Sequence, residues 1–489
     1  MRFLLDTNVL IPLEDSQVAL APSLALFVRL ANDHGHPLVY HPSSQLDINK
    51  DRDPARRRQT LERLHQYVRL DHLPACPWND ERTDSNDAID NEILHAISNH
   101  AARFLVTEDL GIHRKARSRG LEDRVLTIQM AADLLRRLHE RVQVHLPNIN
   151  EVPLHAIVHQ LPTPFFDSLR EGYQGFDHWF RGKAEDGRNA WVCRAPSGTL
   201  RGLCVFAVQT DERVTDGGVS LSGPALKLCT FKVAEQERGQ KVGELLLKAA
   251  FQYASRNRVE HIFITADGDR QQRLIELLED FGFGCIGNHG RDAVYVKRHP
   301  STAPPPWPDP VSYHRAFFPH NMDGEGIRKF IVPVVPRFHQ VLFPDYHRTG
   351  DPTPLFEIPQ EIAVGNAIKL AYLCHGTTNQ VRPGDLVFFY RSGDHKAVTS
   401  LGVVERFETL EEAEAIIGLV RRRTVYSMDE IQGMADRPTK VMLFRLVQHF
   451  RRNVPFPRLL RESVLKGPPQ SITQISHEKY QRLMEASLA

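Results

Sequence analysis

The chain has 489 residues, of which 41% are hydrophobic and 25% are charged, and its formal net charge is +1 at pH 7. Such a length exceeds what one hydrophobic core organises, and it predicts about three domains of roughly 150 residues each. The small net charge excludes a global field that attracts nucleic acid, although local basic clusters can still bind it.

Cysteine usage and hydropathy narrow the class of protein further. The six cysteines are scattered and form no C-x-x-C pair, so we expect reduced thiols rather than a disulfide framework or a zinc knuckle. No apolar run reaches the roughly 20 residues that cross a bilayer, and the N-terminus lacks the features of a signal peptide. We therefore expect a cytoplasmic protein with no membrane partner.

Proline-rich segments divide the chain. The stretch 146–150 follows a basic amphipathic helix, and the run S-T-A-P-P-P-W-P-D-P at 301–310 cannot continue a helix or a central strand. The predicted regions are a first domain at 1–147, a second at 148–300, a linker at 301–324 and a third domain at 325–489.

Short apolar strands alternate with amphipathic helices in the first domain. Strands at 3–5, 37–40 and 104–106 each run toward an acidic residue, and a helix around 89–97 carries another near its start. Because the carboxyl ends of parallel strands meet at one edge of a sheet, we expect these acids to converge. They are Asp6, Asp47, Asp90 and Asp109.

Carboxylates crowded into one pocket raise one another's pKa unless a divalent cation neutralises them. Mg²⁺ or Mn²⁺ prefers such oxygen ligands and can activate water for attack on a phosphodiester. The alternative is structural, because a single aspartate at a strand end is more often a helix N-cap.

The order of these acids resembles the PIN-domain family. The matching motifs are L-L-D-T-N-V-L at Asp6, an acid after S-S at Asp47, D-x-x-x-L-x-A at Asp90 and L-V-T-E-D at Asp109. The resemblance implies a catalytic site of these four acids, with Asp6, Asp90 and Asp109 as the main metal ligands. Asp87 and Glu108 lie close enough in the sequence to be alternatives.

The same resemblance implies the substrate and the partners. PIN domains are typically single-strand-specific ribonucleases, many of them toxins, so it implies RNA as the substrate and an antitoxin or other inhibitory protein as a possible partner. The arginines between 52 and 63 are possible phosphate contacts, with a solvated helix face as the equal alternative.

The second domain is predicted to place strands at 190–193, 202–208 and 225–233 before a glycine-containing turn and a helix. A strand, such a turn and a helix N-terminus direct free N–H groups and a positive dipole at one point, which suits a diphosphate. The turn consists of Arg238, Gly239, Gln240, Lys241, Val242 and Gly243.

This arrangement, with the helix ending in G-F at 282–283, resembles the GNAT acyltransferase family over 190–297. The resemblance implies that the turn holds the diphosphate of acetyl-CoA and that the strand at Phe231 and Val233 pairs with the pantetheine arm. Two residues depart from the family's pattern. Lys241 replaces a glycine, and Leu278 replaces the tyrosine that commonly serves as general acid, so acyl-CoA binding is better supported than catalysis.

Short strands and turns such as R-P-G-D at 382–385 predict a small, mainly β barrel with helices in the third domain. The segment from 365 to 404 resembles the ASCH group of PUA-like domains. That resemblance implies an RNA or modified-nucleotide cleft containing Lys369, Tyr390 and Arg391. The alternative for Tyr390 and its aromatic neighbours in the sequence is that they lie in the hydrophobic core.

Together these regions predict an α/β multidomain protein: a PIN-like parallel sheet, a GNAT-like mixed sheet and a PUA-like barrel. The first functional hypothesis is an RNA-directed, Mg²⁺- or Mn²⁺-dependent endoribonuclease fused to an acetyl-CoA-dependent N-acetyltransferase, in a toxin-like or stress-defence role. The second is an acetyltransferase of RNA, aminoacyl-tRNA or protein in which the other units only bind. The third is a non-catalytic RNA-binding scaffold that senses acyl-CoA.

Overall fold

The computed structural model describes residues 1–15, 20–79, 85–139, 149–195, 197–234, 241–268, 270–343, 346, 368–420, 423, 426 and 428–488. The chain forms two compact units. The first comprises Met1–Val144, Glu412–Arg421 and Ser427–Gly433, and the second comprises His145–Glu411, Arg422–Tyr426 and Met434–Ala489. None of the helices in the described ranges has the length and apolar character needed to span a membrane.

The secondary-structure elements are numbered along the chain. The strands are β1 Phe3–Leu5, β2 Leu38–Tyr40, β3 Val68–Arg69, β4 Phe104–Val106, β5 Val125–Leu126, β6 Ile149–Pro153, β7 Asn189–Arg194, β8 Leu200–Thr210, β9 Pro224–Val233, β10 His261–Ala266, β11 Gly284–His289, β12 Asp292–Arg298, β13 Lys329–Val334, β14 Lys369–Cys374, β15 Leu386–Arg391, β16 Ala397–Leu410, β17 Thr439–Pro455 and β18 Thr473–Ile475. The helices are α1 Thr7–Glu14, α2 Pro22–Asp33, α3 Ser43–Ile48, α4 Pro54–Arg63, α5 Ser85–Ser98, α6 Leu110–Ser118, α7 Ile128–His139, α8 Asp167–Gly172, α9 Phe176–Glu185, α10 Val242–Asn257, α11 Gln272–Asp280, α12 Pro310–Phe317, α13 Pro336–Leu342, α14 Ala413–Val420, α15 Met428–Met434, α16 Phe456–Arg461 and α17 His477–Leu488.

The first unit contains a five-stranded sheet in the order β3-β2-β1-β4-β5, with every neighbouring pair parallel. Strands β1, β2 and β4 are buried along their whole length, which explains why they are continuous apolar runs. The predicted parallel α/β sheet is therefore confirmed, and β1 and β4 lie side by side, so their carboxyl ends are adjacent.

A helix from late in the sequence belongs to this first unit. A Cβ on Gly418 of α14 would lie 3.4 Å from the ring of Phe104 in β4, so α14 packs against the sheet without a side chain between them. The Met1 ammonium also lies 3.9 Å from the Glu414 carboxylate. The predicted third domain, residues 325–489, thus contributes α14 to the N-terminal unit.

The second unit contains two sheets. The seven-stranded sheet has the order β11-β12-β10-β9-β8-β7-β6, with β9 and β10 parallel and the other pairs antiparallel. Helices α10 and α11 cover one face through a core that includes Leu246, Phe251 and Leu278. This mixed sheet is the one predicted for the second domain.

The segment predicted as a linker, 301–324, is packed against strand β12 of this sheet. It contains α12, whose Tyr313 and Phe317 are buried. Lys297 of β12 is also buried, and its ammonium donates to the carbonyl oxygens of Arg315 and Ala316 at 3.0 and 2.8 Å. The proline-rich run therefore leads into a helix that packs within the second unit, and the segment is not an unpacked linker.

The six-stranded sheet has the order β14-β17-β16-β15-β13-β18, with β13 and β15 parallel and the other pairs antiparallel. Apolar clusters lie on both of its faces. In the part of the chain that the structure describes, β14 and β18 are edges without a ladder between them, so closure into the predicted PUA-like barrel stays a prediction.

Gly282, between α11 and β11, makes the tightest of these contacts. Its φ is +81°, and a Cβ there would lie 2.2 Å from the Arg315 carbonyl oxygen. We predict that Gly282→Ala lowers the free energy of unfolding of the second unit by at least about 3 kcal/mol, because backbone must move. Gly290→Ala is the matched control: its φ is +60° and nothing lies within 4 Å, so it reports conformational strain alone.

Urea unfolding followed by tryptophan fluorescence measures both variants. Equal losses of stability would contradict the packing of α12 against this turn.

Candidate functional sites

Asp6 lies at the carboxyl end of β1 and is also the N-cap of α1. Its Oδ1 accepts a hydrogen bond from the Thr7 N–H at 2.7 Å, and its Oδ2 accepts from the Asn8 amide at 2.8 Å and the Thr107 hydroxyl at 2.5 Å. Thr107 directly follows β4, so the two adjacent strand ends meet at this carboxylate. Asp6 is therefore both a helix N-cap and a member of the predicted cluster of acids.

The predicted acids of three elements converge. The pKa of Asp6 is raised to about 6, mainly by burial and in smaller part by the charges of Asp90 and Asp109, while the hydrogen bonds from Thr107 and Thr7 oppose the rise. Burial also raises the pKa of Asp90, with Asp109 and Asp87 adding to the effect. Asp6, Asp90 and Asp109 thus share one electrostatic environment at the edge of the sheet where β1 and β4 end.

Lys115 of α6 supplies a cation to this environment. Its ammonium donates to Asp87 at 2.6 Å and to Asp90 at 2.8 Å, and both contacts are ion pairs. These bonds oppose the effect of burial on the pKa of Asp90. Lys115 thereby neutralises part of the negative charge that the sequence assigned to a metal ion.

Asp109 caps α6, and its Oδ1 accepts from the N–H groups of Gly111 and Ile112 at 2.5 and 3.1 Å. Glu108, the alternative ligand, points elsewhere, because its carboxylate accepts from the Ile128 N–H at the start of α7. Asp47 lies in α3 with its side chain 35% exposed, 3.5 Å from the Lys50 ammonium. It is not among the main charges that raise the pKa of Asp6, so the structure separates it from the other three.

Three polar residues of this site were missed from the sequence. Asn8 bridges Asp6 and Thr107 with its amide and accepts from the Glu108 N–H with its oxygen. Asn8 and Thr107 stand within the quoted motifs L-L-D-T-N and L-V-T-E-D, which was the available signal. Lys115 carried no such signal, because its partners are 25 and 28 residues away.

The types of donor suit Mg²⁺ or Mn²⁺, but the arrangement does not close around one. Within the described ranges, no group of three His, Cys, Asp or Glu side chains is placed to hold a metal ion. Both oxygens of Asp6 already accept hydrogen bonds, and Lys115 holds Asp90. The predicted ligand set Asp6, Asp90 and Asp109 is brought together as a cluster of acids, not as a formed metal site.

A second candidate site lies where β9 leaves β10. The two strands pair only over Ala225–Lys227, although β9 continues to Val233 and β10 to Ala266. The register with β8 shifts at the same place, so that Cys229 is an extra residue, a β-bulge. In the described strands the backbone of β9 beyond Lys227 therefore has no ladder with β10, and we call this divergence of the two strands the opening.

Helix α10 begins beside this opening. Within the described residues, no side-chain hydrogen bond caps its N-terminus, and the N–H groups of a helix's first turn lack partners inside the helix itself. Lys241, the N-cap, has a φ of +63°, which explains why a glycine is usual at this position. Arg238, Gly239 and Gln240, the rest of the predicted turn, lie outside the described residues.

Packing contacts explain the positions of the other residues that were predicted to bind the cofactor. A Cβ on Gly243 would lie 2.9 Å from the Leu277 side chain and 3.7 to 3.8 Å from Phe231 and Val233, so glycine permits the close approach of α10 to β9 and α11. Val242 is buried in the same core. Leu278, at the place of the usual tyrosine, is fully buried there as well, so it offers no acid to a cleft.

The structure does not assemble the predicted RNA cleft of Lys369, Tyr390 and Arg391. Lys369 lies on β14, and two strands separate it from β15, which carries the other two. Tyr390 is 2% exposed within an apolar cluster. Arg391 pairs with Asp394 at 2.9 Å through its Nε, and this bond lowers the pKa of Asp394 to about 2. Tyr390 thus packs in the core, and Arg391 is bound to Asp394.

The arginines proposed as phosphate contacts are also engaged. Arg56 forms a bidentate ion pair with Asp51 at 2.7 Å for each bond, and Arg63 lies 3.3 Å from Glu14. These two side chains of α4 thus have protein partners in Asp51 and in Glu14 of α1.

The raised pKa of Asp6 gives a prediction with a definite sign. A carboxyl group whose pKa is higher in the folded state stabilises the fold below its unfolded value near 3.8, and this stability is lost as the pH rises through about 6. With a chelator present, we expect Asp6→Asn to stabilise the first unit by about 1–2 kcal/mol at pH 7.5, because a buried charge is removed. The gain should shrink toward zero at pH 4.5.

Native-state hydrogen exchange of the β1 and β4 peptides measures this difference, with Asp47→Asn as the partly exposed control. A gain that is the same at both pH values would contradict the buried-charge explanation.

Comparison with known proteins bears on the middle region. Residues 154–283 match the model of the acetyltransferase (GNAT) family. A search of curated proteins finds no match to this chain. The family match supports a GNAT-type acetyltransferase domain in this region, as the sequence predicted.

Solved structures also show similarity to parts of the chain. ASCH from Zymomonas mobilis has 14% identity and a TM-score of 0.25, covering 32% of this chain and 94% of its own. NAA60 of Arabidopsis thaliana, in complex with a bisubstrate analogue, has 15% identity and a TM-score of 0.24, covering 31% and 97%. The PaiA N-acetyltransferase of Thermoplasma acidophilum, in complex with coenzyme A, has 12% identity and a TM-score of 0.24, covering 31% and 99%.

Proposed function

We propose that this protein is an acetyl-CoA-dependent N-acetyltransferase whose site is the opening between β9 and β10. The observation that carries the proposal is the coincidence of the bulge at Cys229, the end of β9–β10 pairing after Lys227, and the uncapped start of α10. The match of residues 154–283 to the GNAT family supports the same assignment.

The geometry divides the ligand between two elements. The pantetheine arm carries amides that need backbone partners, and the edge of β9 that β10 no longer pairs with lies beyond Lys227. The diphosphate is an anion, and the free N–H groups and dipole of α10 favour an anion at its N-terminus. Acetyl-CoA would supply the activated acyl group, while the strand and the helix hold and orient it.

Isothermal titration with fragments of the cofactor tests this division. We expect acetyl-CoA to bind, and we expect pantetheine and adenosine 3′,5′-bisphosphate to bind separately but more weakly, because each fragment engages one element. A release of free CoA that depends on an added amine, peptide or aminoacyl-tRNA would identify the acceptor class. No detectable binding of acetyl-CoA at 100-fold excess would refute the proposal.

A second candidate function is metal-dependent cleavage of RNA at the acids of the first unit, as the PIN resemblance implies. The observation that favours it is the raised pKa of Asp6 beside Asp90 and Asp109, because buried acids of this kind mark functional sites. Binding of Mg²⁺ or Mn²⁺ requires Asp90 to exchange the Lys115 ammonium for the ion. RNA would be the substrate of this reaction, and an inhibitory protein would be its partner.

Thermal unfolding with and without Mn²⁺ tests the second candidate without depending on activity. We expect Mn²⁺ to raise the melting temperature of the first unit, because an ion that binds only the folded state stabilises it. Asp109→Asn should abolish the rise, Asp47→Asn should keep it, and Lys115→Met should tighten Mn²⁺ binding. No rise in the natural chain, or RNA cleavage that survives Asp109→Asn, would contradict this candidate.

A further inference from the structure

The start of α10 is joined to the edge strand β14 through a single residue. The Lys369 N–H donates to the Glu244 carboxylate at 2.5 Å, and the Lys369 carbonyl oxygen accepts from the Lys241 ammonium at 2.8 Å. Lys241 and Glu244 are the N-cap and the third residue of α10. Both backbone hydrogen-bonding groups of Lys369 are therefore used by the end of the helix that faces the proposed diphosphate.

The side chain of Lys369 fixes this backbone in place. Its ammonium donates to Asp280 at 2.6 Å, and Asp280 also accepts from Arg445 at 2.9 Å. Arg445 is only 1% exposed and donates to Glu405 at 2.6 Å. Removing one partner of a buried ion pair is costly, so Lys369 has little freedom to move away from α10.

The bonds to Lys369 constrain Glu244 and Lys241, two residues that would otherwise disturb a phosphate site. A carboxylate in the first turn of a helix is attracted to the same N–H groups and dipole that a diphosphate needs. The bond to the Lys369 N–H directs Glu244 away from that role. Lys241 has a positive φ, which costs a non-glycine residue about 1 kcal/mol or more, and its bond to Lys369 helps to offset this cost.

We propose that Lys369 is a positioning residue of the acyl-CoA site, and that strand β14 keeps the first turn of α10 open for the diphosphate. The inference rests on the proposed acetyltransferase function and adds to it a role for the C-terminal sheet. It also gives the departure from the family's glycine at position 241 a physical reason, because a glycine could not reach β14.

Two substitutions at the start of α10 test the proposal by titration with CoA. We expect Lys241→Met to weaken CoA binding about tenfold, because it removes the ammonium but keeps the length of the stem. Lys241→Arg should restore binding to within about threefold, since a long cationic donor is retained. Pantetheine, which lacks the diphosphate, should bind the natural chain and Lys241→Met equally, whereas general damage to the fold would weaken both ligands.

Glu244→Ala separates positioning from simple electrostatics, because the two explanations predict opposite signs. If Glu244 is held by Lys369, the substitution frees this end of the helix and weakens CoA binding about five- to tenfold. If the carboxylate merely repels the diphosphate, its removal tightens binding. The same melting temperature for the second unit in each variant confirms that the fold is intact.

Tighter or unchanged binding by Glu244→Ala would overturn the positioning role while leaving the acetyltransferase proposal in place. A natural chain that binds neither CoA nor acetyl-CoA would overturn both.

Discussion

The second unit depends on one buried guanidinium, that of Arg445. Its Nε donates to Glu405 and its Nη2 to Asp280, while its planar group lies 4.9 Å from the centre of the Phe281 ring. The positive charges nearby oppose the effect of burial on the carboxylates and lower the pKa of both Asp280 and Glu405. Asp280 ends α11 and Arg445 lies on β17, so the cluster links the seven-stranded sheet's helices to the six-stranded sheet. An unpaired charge that is buried this deeply costs several kcal/mol. Arrangements of the two sheets that separate these ion pairs are therefore unfavourable.

The two candidate sites differ in how their acidic side chains are neutralised. In the first unit, burial and neighbouring acids raise the pKa of Asp6, and Lys115 neutralises only part of the cluster. In the second unit, Glu244 of α10 and Asp280 of α11 are both bound to Lys369. The first arrangement leaves negative charge that a cation can satisfy, whereas the second clears negative charge from a place where an anion is expected.

Local patterns predicted much of this structure. Strands β1 and β4, the acids that follow them, strand β9 and helix α10 were all expected, because each depends on an apolar run and its immediate flanks. The PIN-like and PUA-like assignments stay predictions. The packing of α12 within the segment 301–324 and the positions of Lys369, Tyr390 and Arg391 were not predicted, because tertiary contacts decide both. Lys369 meets Asp280 across 89 residues and Arg445 meets it across 165, and no local spacing signals such pairs.

The central claim is that the buried ion cluster makes the two sheets of the second unit one cooperative body. Native-state hydrogen exchange of the full chain, with and without the shape-preserving substitution Asp280→Asn, tests it most directly. We expect peptides of α10 and β14 to have the same free energy of opening in the natural chain and to lose protection together in the variant. Protection that falls in β14 alone, with α10 unchanged, would contradict it.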